Sequence, residues 1–176
     1  SDGSLGIAEI GVARVLNPSG AQFGVGLGKS WSDHDTYLGG SQDMRGEYLL
    51  GELILPAEAL GENAWMTLTG YYHQADAALL RAYGSGSATD FSFGETDVDT
   101  WAFRARIDWQ HAFALKGCEF SPYIDLSFAE SQVDGYLEAG GSAPATFQSN
   151  RDHSLGARAG VNILYELSPS MAVTGE

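Results

Sequence analysis

Arg104, Arg106, Asp108, Asp125, Arg158 and Glu166 are the charged residues whose types and spacing could do chemistry together. Within each of three segments they fall at alternate positions. Each set therefore projects from one side of an extended strand. If those sides face an enclosed space, the charges must be hydrated or paired, because unpaired buried charge is expensive. Two roles follow, and they are compatible. One is a hydrated polar conduit. The other is an ion-pair network that holds a wall in shape.

Catalytic and metal-binding patterns are sparse. The four histidines are His34, His73, His111 and His153, and none falls in an H-E-x-x-H spacing. Ser32-Asp33-His34-Asp35 has the atoms for a weak metal site but reads as a solvated loop entry. No G-x-S-x-G elbow occurs. A Ser–His hydrolase in the wall would need a serine Oγ within hydrogen-bond reach of His111 or His153, both on expected apolar faces. His111 reads better as an interfacial residue with its polar tip in the headgroups. Cys118 is the single cysteine, so there is neither an internal disulfide nor a cysteine zinc site. Neither a metal nor a cofactor is expected.

Composition narrows the setting. The chain has 176 residues and a net charge of −14, with no basic stripe, which argues against nucleic acid as a partner. Hydrophobic residues make up 44%, too many for a disordered tail. Lysine occurs only at Lys29 and Lys116, although soluble sheets use it on exposed edges. No apolar run approaches the ~18 residues of a membrane helix. The N-terminal SDGSLG lacks a basic region followed by an apolar one, so a signal peptide, if there is one, is expected outside this chain.

The positioning elements read as strands. In WAFRARIDWQHAF, Trp101, Phe103, Ala105, Ile107, Trp109, His111 and Phe113 alternate with Ala102, Arg104, Arg106, Asp108, Gln110 and Ala112. One face is apolar with aromatics at both ends; the other is charged. In a soluble sheet the apolar face points inward, and in an outer-membrane barrel it points to lipid. Phe120, Pro122, Ile124, Leu126 and Phe128 repeat the pattern against Asp125, as do Leu155, Ala157, Ala159, Val161, Ile163, Tyr165 and Leu167 against Arg158 and Glu166. Trp101, Phe103, Trp109, Phe113, Phe120, Phe128 and Tyr165 are the expected lipid-facing aromatics. Gly24, Gly26, Gly28, Gly156 and Gly160 on the polar faces are expected to leave room for a lumenal segment.

Eight strands are expected: 5–16, from 22, 47–55, 65–83, 101–113, 120–129, 155–167 and from 171. The third is Leu-rich with a poor alternation, which a helix could also produce. Short connections near 17–20, 57–63, 115–118 and 168–170 alternate with long ones near 38–45, 84–97 and 138–147. Outer-membrane barrels show that asymmetry. Residues 101–113 would run about 40 Å at ~3.3 Å per residue, or roughly 30 Å of depth at the usual tilt.

Three stretches carry a family resemblance: TWAFRARIDW, SPYIDLSFAESQVDGYLEAGG and SLGARAGVNILYEL. The middle one tells most, with a Ser-Pro-Tyr strand start and then V-D-G-Y-x-E-x-G entering a loop. From Thr100 to Glu176 the chain resembles the translocator domain of autotransporters, most closely the lipase/esterase type. GAQFGVGLGKSW in the first half matches more loosely. The resemblance implies an all-β, antiparallel up-and-down transmembrane barrel of twelve strands. The chain, as one partial barrel domain over 1–176, would then lack about a third of it, mostly after Glu176. It also implies a Gram-negative outer-membrane location and a role in exporting and anchoring an N-terminal passenger lying outside this chain. The implied partners are outer-membrane lipid, the passenger segment and the barrel assembly machinery. The barrel itself would not be an enzyme. The rivals are a soluble calycin-like barrel that buries Trp101, Phe103, Ile107 and Trp109 around an apolar ligand, and an outer-membrane pore or lipid hydrolase.

Overall fold

The computed structural model describes residues 3–85, 88–115, 117–168 and 171–175. Strands β1 (Gly3–Val15), β2 (Gln22–Asp35), β3 (Ser41–Pro56), β4 (Ala64–Ser85) and β5 (Ala88–Trp109) pair antiparallel in chain order. A short β6 (Phe113–Leu115) pairs with the start of β7 (Cys118–Val133). Two-residue strands β8 (Tyr136–Leu137) and β9 (Thr146–Phe147) form a separate hairpin. Then β10 (Asn150–Ser168) pairs with β7, and β11 (Met171–Gly175) pairs with β10. The path β1-β2-β3-β4-β5-β7-β10-β11 is the expected eight-strand meander. Among the described residues β1 and β11 pair only inward, so the sheet is open.

Register assigns the faces, because residues paired across an antiparallel ladder share a side. Leu27, Leu49, Tyr72 and Trp101 form one row across β2 to β5, and Leu53, Leu68, Ala105, Leu126 and Ala157 another from β3 to β10. The Leu-rich third segment is therefore a strand, with Leu49, Leu53 and Leu55 outward and Leu50, Glu52 and Ile54 on the polar side. The distribution of burial inverts that of a soluble sheet. Phe103, Leu126 and Leu155 are 60%, 53% and 81% exposed. Tyr48, Ala75, Ala77, Ser92, Tyr123 and Asp125 are buried, and all lie on the polar face. The soluble-barrel rival fails on Phe103, which it required to be buried.

Three boundaries correct the sequence reading. The segment 84–97 is not a large loop: β4 and β5 continue as a hairpin to the Ser85↔Ala88 pair. Its Gly, Ser, Thr and Asp content resembles turn chemistry, but a hairpin standing in water needs no apolar face, so composition misleads there. Likewise only 36–40 separate β2 from β3, and Ser41 to Arg45 are already paired. Finally, the strand holding Trp101 stops at Trp109 instead of reaching Phe113. Gln110 and His111 form a turn, His111 has φ 50°, and Phe113 restarts as β6 beside Phe120. Ser168 ends β10, and the rest of the turn expected at Ser168-Pro169-Ser170 lies outside the described residues, as does Glu176.

Two glycines have a different use from the expected one. A Cβ on Gly28 would lie 2.2 Å from Tyr48 Cζ, and one on Gly160 would lie 2.7 Å from Tyr123 Cζ. Both rings lie flat on the polar face over the neighbouring strand's glycine, so the room is filled by the chain's own tyrosines. Gly28→Ala is expected to lift Tyr48 off β2 and break its bond to Glu9. The destabilisation is expected to be about 1–3 kcal/mol, the range for overpacking. Gly24→Ala, whose nearest neighbour would be 3.6 Å away, should be near neutral. Paired denaturant titrations of the two folded variants check this.

Candidate functional site

On the polar face the charges gather around one carboxylate. Arg106 of β5 lies opposite Asp125 of β7, yet Arg104 makes the bond, reaching diagonally. Its Nε and Nη2 both donate to Asp125 Oδ2, at 2.9 and 2.6 Å. Arg158 lies opposite Asp125 from the other side, and its Nη2 donates to the same oxygen at 3.2 Å. Arg106 turns along its own strand instead. It donates to both oxygens of Asp108, at 2.7–3.0 Å, and its guanidinium lies 3.9 Å over the Tyr123 ring, a cation–π contact.

Exposure is uneven within the network. The Asp125 side chain is 1% exposed, Arg104 40% and Arg158 69%. The anchor is thus covered, while two guanidiniums keep donors toward open space. Asp125 Oδ1 is buried without a hydrogen-bond partner. Arg104, Arg106, Asp108, Asp125 and Arg158 are therefore brought together on one face. The side chain of Glu166 lies outside the described residues.

The expected aromatics fall into two groups at opposite ends of the apolar face. Trp101 packs on Phe103 and Phe128, with centroids 5.5 and 5.0 Å apart. Its Nε1 donates to Glu130 at 3.2 Å. At the other end Phe113 stacks on Phe120 at 4.8 Å, and Trp109 Nε1 donates to the Leu60 carbonyl at 3.0 Å. Tyr165 sits at that end, opposite Cys118. Trp101 to Trp109 spans about 26 Å of strand, or about 20 Å of depth when tilted, with rings closing a band of roughly the outer-membrane height. Rings with a polar edge at both borders suit a water–lipid boundary.

His111 departs from the sequence reading, while His153 keeps to the expected apolar face. His111 leaves the apolar face: its ring meets Glu119, and its backbone N–H donates to Ser121 Oγ at 3.0 Å. The His153 ring stacks on Phe128. A Ser–His side-chain contact forms elsewhere, between Ser30 Oγ and His73 Nε2, at 2.8 Å. It sits beside Tyr48 and Tyr71 on the polar face, and among the described residues no carboxylate orients the other ring nitrogen. Tyr48 Oη in turn donates to Glu9 at 2.8 Å. These contacts join residues 43 and 39 apart in sequence, so no local pattern announces them.

A second charged pair lies beyond the aromatic border, where β4 and β5 outrun their neighbours. Arg81 Nε and Nη2 donate to Glu138 at 2.8 and 2.5 Å, and the Glu138 side chain is 2% exposed. Those hydrogen bonds hold the Glu138 carboxyl below its ordinary value, against the upward push of burial, and the Ala145 N–H adds to the lowering.

The comparisons fit this geometry. The autotransporter beta-domain family matches residues 1–175, and the chain belongs to that family. Esterase EstA of Pseudomonas aeruginosa and that of Pseudomonas putida are each 36% identical over 88 residues, covering 48% of this chain and 14% of the esterase. An uncharacterized protein of the trpE–trpG intergenic region of Pseudomonas putida is 24% identical over 190 residues, covering 88% of this chain and 32% of that protein. The translocator domain of the autotransporter NalP from Neisseria meningitidis superposes with TM-score 0.78 at 14% identity, covering 98% of this chain and 58% of that one. The chain is an outer-membrane translocator β-barrel segment of the type V secretion class. It spans a small fraction of the curated relatives it matches.

Proposed function

We propose that the polar face lines the conduit of the translocator and that the linked passenger segment runs along it. Arg104, Arg106, Asp108, Asp125 and Arg158 form the lining, with Glu166 on the same alternation. Trp101, Phe103, Trp109, Phe113, Phe120, Phe128 and Tyr165 face outer-membrane lipid. The inverted burial carries this reading: apolar side chains stand exposed while the polar face holds a covered carboxylate, Asp125, paired with arginines. Arg104 and Arg158 give a passing chain guanidinium donors already half-satisfied by Asp125, so contacts with it are weak and exchangeable. Residues 1–176 act as one unit, inserted by the barrel assembly machinery. The wall carries no catalysis, and any enzymatic activity belongs to the passenger.

The test uses the full-length protein in a Gram-negative outer membrane. Unboiled protein is expected to migrate faster than boiled on a denaturing gel, and external protease is expected to reach the passenger on intact cells. A single gel band with a fully protected passenger would overturn the proposal. Ester hydrolysis by the passenger-free barrel, lost on changing one wall histidine, would favour the hydrolase instead.

A further inference from the structure

Residues 134–149 connect β7 to β10, and they do not stand free. The segment first follows the edge of β5. Asp134 N–H donates to Asp97 O at 2.9 Å, and Phe93 and Ala139 exchange backbone bonds at 3.0 and 2.8 Å. It then crosses the polar side of the projecting hairpin. Tyr136 lies over Gly94, where a Cβ would come within 2.6 Å of the ring. Glu138 takes the Arg81 fork. Arg81 Nη2 also donates to Ala143 O at 2.9 Å, Ala143 N–H to Tyr83 Oη at 2.9 Å, and Ser142 N–H to Asp90 at 2.7 Å. Ser92, fully buried, donates to Gly140 O at 3.1 Å. Arg81, Tyr83, Asp90, Ser92 and Gly94 occupy the same alternate positions of β4 and β5 as His73, Arg104 and Arg106.

The segment is therefore folded toward the lumenal side at the outer end of the wall. What holds it is almost wholly polar. Tyr136 and Phe147 stack at 4.7 Å, but Leu137 is 70% and Phe147 38% exposed. When the segment lifts, these polar groups exchange their bonds for water bonds with little net change per bond. A unit with few buried apolar contacts opens far more readily than the sheet beneath it. Consecutive glycines with positive φ, Gly140 at 80° and Gly141 at 62°, make the bend that turns it inward.

We propose that residues 134–149 are a lid over the outer mouth, latched by Arg81–Glu138, which must swing off the β4–β5 hairpin for a passenger segment to pass. This rests on the conduit reading above. The geometry supplies its own lock: an antiparallel pair that exchanges both backbone bonds holds its Cα atoms about 5.5 Å apart, within disulfide range.

The experiment uses the full-length protein with Cys118→Ser and the pair Phe93→Cys and Ala139→Cys. Export is followed by protease access to the passenger, with heat-modifiability as the folding control. Under reducing conditions export should match the parent; oxidation before export should lower it at least tenfold. Equal export in both states, with the disulfide confirmed by gel mobility, overturns the lid. Failure of export in the reduced protein and its parent alike would instead overturn the conduit. A second variant, Glu138→Ala, should raise the mean conductance of the purified protein in planar bilayers severalfold. Unchanged conductance there also overturns the lid.

Discussion

Asp125→Ala is expected to destabilise the sheet by removing the carboxylate that anchors the charges of its polar face. Its Oδ2 receives Arg104 twice and Arg158 once, so one truncation strands two guanidiniums near a third, Arg106. Breaking a fully buried pair from one side costs about 3–5 kcal/mol. Here the guanidiniums are 40% and 69% exposed and can rehydrate, which lowers the figure. The loss of Oδ1, buried without a partner, removes an existing cost as well. The expected net destabilisation is about 2 kcal/mol, read as a lower denaturant midpoint and a lower temperature at which the fast gel band disappears. Asp125→Asn, which keeps the shape and loses the charge, should recover little. Asp125→Ala combined with Arg104→Ala should cost less than the two singles added, since the second change removes one stranded charge. Additive costs would show that Arg104 and Asp125 do not act as a pair.

How much of this could be read from sequence differs between the face and the site. Strict alternation in WAFRARIDW assigns Arg104, Arg106 and Asp108 to one side without any structure, because a period of two is a property of the backbone. Which carboxylate each arginine meets is a matter of register between strands. Arg106 faces Asp125 in the ladder yet chooses Asp108, and the diagonal Arg104 takes Asp125. Alternation contains no such information. The polar-face glycines were legible as gaps, but their filling by Tyr48 and Tyr123 depends on which residue lies across from Gly28 and Gly160. The composition of 84–97 misleads for a different reason. Apolar alternation reports a strand only where one side meets lipid or a core. Above the border both sides of the β4–β5 hairpin meet water or the polar segment 134–149, so the signal shrinks to Phe91 and Phe93 while the pairing persists.

The largest effect expected on the apolar face comes from Leu126→Arg, and its size should depend on depth rather than on contacts. Leu126 sits in the middle row of the belt between Ala105 and Ala157, and is 53% exposed in the chain itself. In water that exposure would make an arginine there nearly neutral, since surface substitutions stay within about 0.5 kcal/mol. Against hydrocarbon the same charge costs about 2–4 kcal/mol at the bilayer midplane and about 0–1 near the interface. Tyr165→Arg, on the same face at the Phe113–Phe120 end, is therefore expected to cost about 1 kcal/mol or less. Unfolding both variants from lipid bilayers measures the difference directly. A steep penalty at Leu126 and a shallow one at Tyr165 means that the exposed side of this sheet is solvated by acyl chains. Equal small penalties would mean that it faces water, and the conduit on the opposite side would lose its premise.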